Sequence, residues 1–342
     1  MLRVFTIICL LIFSVCTPDP SRISDVVYVR NDDSDMPAYI YGNRHSKEFI
    51  VVLHGGPGGS GLEYRAGLFS EILEDRYVVV YWDQRGQGMS QGKYFPRNVT
   101  INQLTQDLHA LVRVLRHKYG QSISIFLYGH SWGGTLGTNY LLTQNYQENI
   151  SGWIESNGAH DILRLNQSAL IMFQEIGAEQ IALGHGVEEW ERIIRQAKVI
   201  SSSAEVTTAQ GITINELAYE AEELLAKYGV ISYVNEVGLY GIHHPTNFLT
   251  SLLSGAITNY LLEEEVERYS ATDRLHKITI PSLFLWGKYD FVVPPQLGID
   301  AFARVSSTQK ELVIFEKSGH SPMLNEPLEY TRKIVAFIDR HK

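Results

Sequence analysis

A chain of 342 residues that is 44% hydrophobic and 20% charged has the composition of an ordinary globular protein with a large core, which excludes a disordered tail or a repeat array. Its net charge of -9 and pI near 5.7, with no run of Lys or Arg, exclude nucleic acid as a partner, because phosphate binding needs a clustered basic surface. An acidic surface is compatible with cationic substrates.

The chain begins Met1-Leu2-Arg3 and continues from Val4 to Val15 almost without a polar residue. A bilayer-spanning helix needs about 20 apolar residues, so residues 1–16 read as a secretory signal peptide and imply an exported protein, periplasmic, extracellular or lipid-anchored. Phe13-Ser14-Val15-Cys16 is a loose form of the lipoprotein signal, in which Cys16 is lipidated and becomes the mature N-terminus. Ordinary cleavage after Cys16, with Ser14 and Cys16 as the small residues, is the competing reading. A lipid on Cys16 is the only membrane contact expected. Cys9 and Cys16 are the only cysteines, so the folded domain is expected to hold no disulfide and no thiol chemistry.

Beyond this segment, Val26–Arg30 and Ala38–Tyr41 read as a hairpin. Phe49–Leu53, Tyr77–Tyr81, Ile123–Tyr128, Trp153–Ile154, Ser282–Trp286 and Leu312–Phe315 are short runs dominated by apolar residues, the signature of strands buried on both faces. Helical patterns lie between them. Leu104, Leu108, Leu111 and Leu115 share one face, and Thr135–Leu142 is apolar on a helical period. Alternation of strand and helix predicts an α/β fold with a mostly parallel sheet flanked by helices. From residue 160 to 277 no buried strand is evident, and Glu188–Val199 and Glu216–Lys227 are amphipathic. A helical cap at 160–277 over the C-terminal edge of a core formed by 25–159 and 278–342 is the expected organisation.

Gly129-His130-Ser131-Trp132-Gly133 follows a predicted strand and opens a predicted helix, the setting of a nucleophile elbow. A serine hydroxyl needs a base to take its proton, and the base needs an acid to fix its tautomer. Asp290 lies just past Ser282–Trp286, and His320 just past Leu312–Phe315. The order Ser131, Asp290, His320 at successive strand ends is that of a hydrolytic triad. His54-Gly55-Gly56-Pro57-Gly58-Gly59 follows another strand and reads as an oxyanion loop, with the backbone N–H groups of Gly56 and Trp132 as the two donors. No Gly-Lys-Ser/Thr follows these glycines, so they do not read as a nucleotide loop.

Asp83 also follows a strand, in Asp83-Gln84-Arg85-Gly86-Gln87-Gly88-Met89-Ser90, but it precedes the nucleophile and reads as scaffold. His160, His243 and His244 read as satisfied surface histidines, since no His-Glu-x-x-His and no cysteine pair marks a metal site. Neither metal nor cofactor is required.

Together, His-Gly-Gly-Pro-Gly-Gly (54–59), Asp-Gln-Arg-Gly-Gln-Gly-Met-Ser (83–90), Gly-His-Ser-Trp-Gly-Gly (129–134), Gly-Lys-Tyr-Asp (287–290) and Gly-His (319–320) resemble the proline iminopeptidase group of serine peptidases in the α/β-hydrolase superfamily. The resemblance implies release of an N-terminal residue, often proline, from short peptides, with the substrate's free amine held by acidic residues of the cap. Glu175, Glu179, Glu188, Glu189, Glu191 and the stretch from Glu216 to Glu223, including Glu220, are the cap candidates, and the sequence does not choose among them. The chain departs from the group at His130, where glycine is common, and in a cap that matches no motif. An ester, lactone or non-peptide amide is the alternative substrate, and a non-catalytic binding protein on the same fold is a rival of another class. Serine rather than aspartate at 131 disfavours an epoxide hydrolase or dehalogenase. The expected partner is a small peptide or small molecule, and no oligomeric state is indicated.

Overall fold

The computed structural model describes residues 19–203, 205–232 and 248–342. The expected signal segment, with Cys9 and Cys16, and the pair His243-His244 lie outside the described residues. Strands β1 (Arg22–Asn31) and β2 (Ser34–Asn43) form the predicted hairpin, paired antiparallel from Arg22 opposite Asn43 to Asn31 opposite Ser34. At its tip Asp32 has φ 47°, a left-handed conformation that aspartate tolerates better than most residues.

The apolar runs become β3 (Glu48–Leu53), β4 (Val78–Trp82), β6 (Ser124–His130), β7 (Gly152–Ser156), β8 (Ser282–Gly287) and β9 (Lys310–Phe315). A two-residue strand, β5 (Gln91–Gly92), pairs with β2 and had no signal in the sequence. The sheet order is β1-β2-β4-β3-β6-β7-β8-β9, antiparallel between β1, β2 and β4 and parallel from β4 onward.

Why these runs are strands follows from their two-residue period. Phe49, Val51 and Leu53 enter the same apolar layer as Leu104 and Leu111 of α2 (Ile101–Tyr119) and Leu136 of α3 (Trp132–Leu142). Ile50 and Val52 enter the opposite layer, with Phe69 and Leu73 of α1 (Gly67–Arg76) and Ile334 of α10 (Pro327–His341). Helices on both sides leave no polar face, so neither side of β3 carries a polar residue between Phe49 and Leu53. On α2, Leu104, Leu108, Leu111 and Leu115 are all fully buried, Thr100 caps the first turn by accepting the Gln103 N–H, and Gly120 at φ 108° ends the helix.

Between β7 and β8 the chain forms α4 (Ile162–Ala182), α5 (Val187–Ser201), α6 (Thr208–Lys227) and α7 (Phe248–Glu267). Of these, α5 and the second half of α6 carry the amphipathic pattern of Glu188–Val199 and Glu216–Lys227. The start of α6 is fixed by a reciprocal cap between Thr207 and Gln210. Helix α7 lies on the loops that follow β3 and β4. A Cβ placed on Gly255 would come within 2.2 Å of the Gly58 carbonyl oxygen, and Thr258 Oγ1 donates to the Gly86 carbonyl at 2.6 Å. Two glycines meeting backbone to backbone bring the cap onto the C-terminal edge of the sheet. After β8 come α8 (Pro295–Arg304) and, beyond β9, the short α9 (Pro322–Asn325).

Candidate active site

Strand β6 ends in His130, and α3 begins at Trp132, so Ser131 has to turn the chain in one residue. It does so at φ 55°, ψ -120°, a conformation that costs a non-glycine residue on the order of 1–3 kcal/mol and persists only where its surroundings hold it. Here the Ser131 N–H donates to the Ser156 carbonyl at 3.1 Å, while the Ser131 carbonyl accepts from Gly134 at 2.8 Å and Ala159 at 3.0 Å. The turn also requires α3 to start against β3. A Cβ on Gly133 would stand 1.9 Å from the Leu53 carbonyl oxygen, so only glycine fits there.

Asp290 and His320 arrive on the loops after β8 and β9, as predicted, and both are buried. His320 Nδ1 lies 3.0 and 3.1 Å from the two oxygens of Asp290. A carboxylate accepts only, so Nδ1 carries the proton and Nε2 is left as the basic nitrogen. Asp290 also accepts from the Val293 N–H at 2.7 Å and from Asn157 Nδ2 at 2.5 Å. Burial alone would lower the pKa of His320. The charge of Asp290, the hydrogen bond to it, and the charge of Glu222 together outweigh burial and raise it above the usual histidine range.

Asn157 was not singled out in the sequence. It sits at φ 48° just beyond β7, and its backbone N–H donates to Leu285 of β8 at 2.9 Å. The end of β7 therefore touches both sides of the site, Ser156 through the nucleophile's N–H and Asn157 through the acid. An isolated Asn-Gly after a strand reads as an ordinary turn, so no local signal marked it.

His130 has a specific place. Its Nε2 lies 2.8 Å from the His320 carbonyl oxygen, which can only accept, so Nε2 is protonated and Nδ1 accepts from the Tyr64 hydroxyl at 2.6 Å. The same hydroxyl accepts the Gly55 N–H at 2.9 Å. Burial, with the adjacent His320 adding to it, pushes the His130 pKa down to about 3, so this imidazole stays neutral. On the expected oxyanion loop, Gly55 is thus committed to Tyr64, and the Gly58 N–H to Gln87 Oε1 at 2.6 Å. Among the described residues the N–H groups of Gly56 and Trp132 have no such partner. The Trp132 N–H is at the first turn of α3, where the helix leaves it unpaired.

The Asp83–Ser90 loop lies beneath this assembly. Asp83 accepts from Ser60 Oγ at 2.8 Å, Gly61 N–H at 2.9 Å and Met89 N–H at 2.8 Å. Arg85 forms a buried two-point pair with Asp107 at 2.6 and 2.7 Å, and Gln84 Oε1 accepts from the Trp132 indole at 2.8 Å.

The cap acids distribute unevenly. Glu175, Glu179, Glu188 and Glu191 are exposed, and Glu189 is half-buried on the first turn of α5. Glu220 is ion-paired with Arg192 of α5. None of these hydrogen-bonds to Ser131, Asp290 or His320 among the described residues. Glu222, one of the run 216–223 that had not been preferred, does: it accepts the His320 N–H at 2.8 Å and the Phe291 N–H at 3.0 Å. One expectation is corrected. His160 is not a surface histidine but fully buried, with Nδ1 2.7 Å from Glu155 Oε1.

Comparison with known proteins agrees with this geometry. The family model described as serine aminopeptidase, S33, matches residues 44–224 and 251–327. A probable aminopeptidase, YbaC, of Bacillus subtilis is 27% identical over 303 residues, covering 85% of this chain and 89% of that protein. A proline iminopeptidase of Saccharolobus solfataricus is 26% identical over 304 residues, covering 88% of each. Among solved structures, VinJ superposes with a TM-score of 0.62 at 19% identity, covering 93% of this chain and 99% of that one, and an esterase of Exiguobacterium antarcticum with 0.58 at 19%, covering 92% and 99%. The strained serine at a strand-to-helix turn, the hydrogen-bonded acid and histidine on the loops after β8 and β9, and a family match over the core and most of the cap agree: the chain is a serine hydrolase of the α/β-hydrolase fold and belongs to the S33 serine aminopeptidase family.

Proposed function

We propose that the protein is an aminopeptidase that releases the N-terminal residue of short peptides through an acyl-enzyme on Ser131, with proline among the residues released. The observation that carries this reading is the hydrogen-bonded pair of Asp290 and His320, tied by the His130–His320 hydrogen bond to the elbow that holds Ser131 in a strained conformation. In this mechanism Ser131 Oγ attacks the carbonyl carbon while His320 Nε2 takes its proton. Asp290 holds Nδ1–H, fixing the tautomer and stabilising the imidazolium. The N–H groups of Gly56 and Trp132 receive the charge that develops on the carbonyl oxygen, a contribution of several kcal/mol. His320 then gives the proton to the leaving amine, and water repeats the sequence to release the acyl group. The family match and the two peptidase-named relatives support a peptide substrate. The cap, four helices among the described residues, supports a small one, since it packs over the loops at the C-terminal edge of the sheet.

Parallel assays on proline β-naphthylamide and p-nitrophenyl acetate test the reading. Turnover of both, lost together in Ser131→Ala, is the expected result. Ester turnover with no release of any N-terminal residue overturns the aminopeptidase assignment.

A further inference from the structure

Glu222 stands out among the charged groups of the cap. It lies on α6, yet its two oxygens leave the cap and accept backbone N–H groups on the two loops that carry the acid and the histidine. One is the N–H of His320 itself, and the other that of Phe291, the residue after Asp290. The carboxylate fills the space a side chain at 319 would need, for a Cβ on Gly319 would lie 2.1 Å from Glu222 Oε2. The Phe291 ring is stacked on Phe173 of α4 with centroids 5.3 Å apart, and tilted against Trp190 of α5 at 6.0 Å. Three cap helices thus converge on the residue that follows Asp290.

We propose that Glu222 is a positioning residue for the triad: by gripping the His320 and Phe291 amides together, it makes the docked cap set the spacing of Asp290 and His320. The inference rests on the assignment of Ser131, Asp290 and His320 as the triad. A carboxylate is suited to the role because it accepts from two amides at once, whereas a glutamine offers one acceptor oxygen and two donors. Its charge has a second consequence. The titratable groups facing it are Asp290 and His320 on the two loops and Tyr219 on its own helix. Burial and the charge of Asp290 push Glu222 up to about 7, and its ionised form in turn raises His320. A carboxyl kept buried beside another carboxylate, with its charged form disfavoured there, is one the fold keeps at a cost, which fits a functional rather than a packing role.

The test uses the full chain, with the rate of Ser131 labelling by a fluorophosphonate and the kcat/KM for p-nitrophenyl acetate measured from roughly pH 5 to 9. Neither probe carries an amine, so neither depends on peptide recognition. Glu222→Gln is expected to lower both rates by about 10- to 100-fold through misplacement of the loops. It is also expected to move the acid limb of kcat/KM to lower pH, because His320 loses a neighbouring negative charge. Gly319→Ala should reproduce the loss by displacing the carboxylate, and keeps the test alive should Glu222→Gln fail to fold by circular dichroism. Unchanged rates and an unchanged acid limb in folded variants overturn the inference. So does a rise in KM confined to free-amine peptides with the two probes unaffected, which would make Glu222 a substrate contact instead. If the wild-type protein is not labelled at Ser131, the triad assignment falls and the inference with it.

Discussion

Asp83 and Asp290 occupy equivalent places in the fold, each in a loop just beyond a buried parallel strand and each fully buried, yet their surroundings give them opposite uses. Asp83 is surrounded by donors that never change state: the Ser60 hydroxyl and the N–H groups of Gly61 and Met89. It ties the loop after β4 to the short helical turn at Gly61–Tyr64, and Gln84 of the same loop accepts the Trp132 indole N–H. Asp290 also has two fixed donors, Asn157 and Val293, but its remaining acceptor capacity meets an imidazole. A buried carboxylate takes part in proton transfer only if one of its partners can itself gain and lose a proton. The comparison therefore separates burial, which both share, from a hydrogen bond to an imidazole, which Asp290 makes with His320.

The largest expected effect tests that distinction directly. Asp290→Asn should lower kcat by about 10⁴-fold by favouring the wrong His320 tautomer, with little change in folding. It should also move the acid limb of kcat/KM to lower pH, since His320 must be neutral to act and Asp290 is the first of the groups that raise it. Asp83→Asn should do the reverse, lowering stability while turnover per folded molecule stays near wild type. If it lowers kcat as Asp290→Asn does, the two loops are not functionally distinct.

Within the Asp83–Ser90 loop, Arg85 pairs with Asp107, both fully buried. Arg85→Met leaves the buried Asp107 without its guanidinium partner, and should cost about 3–5 kcal/mol in denaturant unfolding. The pH dependence of the loop has a defined sign. Burial pushes Asp83 from its ordinary 3.8 up to about 6, so the folded protein holds this proton more tightly than the unfolded chain. That contribution is fully present below 3.8 and is lost as pH rises through about 6, to a total of at most about 3 kcal/mol. Asp83→Asn should flatten this part of the stability profile, measured by denaturant unfolding at fixed pH steps.

Asn157→Ala removes a neutral donor to a charged acceptor, and should reduce kcat by about 10-fold, corresponding to the 1.5–3 kcal/mol of such a bond shared between ground and transition states. Asn157→Gly suits the φ of 48° better and removes the same donor, so equal kinetic losses in the two variants would assign the effect to the amide rather than the backbone. The smallest effect belongs to Glu220→Gln. Its pair with Arg192 is partly exposed, so less than about 1 kcal/mol of stability and no change in KM are expected.

Much of the core site was legible because its residues obey local rules. The elbow motif forecasts a strained serine since only glycines permit α3 to start against β3, and Asp290 and His320 follow apolar runs whose ends a parallel sheet places side by side. The residues that escaped are those whose role depends on distant chain. Asn157 stands 133 positions from Asp290, and Tyr64 stands 66 from His130. Nothing near either in sequence points to its partner.

The cap shows the limit most plainly. An amphipathic, Glu-rich helix was evident from the periodicity of 216–227, but all its acids look alike in one dimension. The sequence by itself determined that Ser131, Asp290 and His320 each follow a strand, β6, β8 and β9, because strand, turn and helix chemistry is written within about ten residues of each. Only the tertiary structure decided that Glu220 turns to Arg192 while Glu222 turns to the His320 and Phe291 amides. Two residues apart on a helix lie roughly 200° around its axis, so neighbouring glutamates face different elements, and which element waits there is set by how the cap packs.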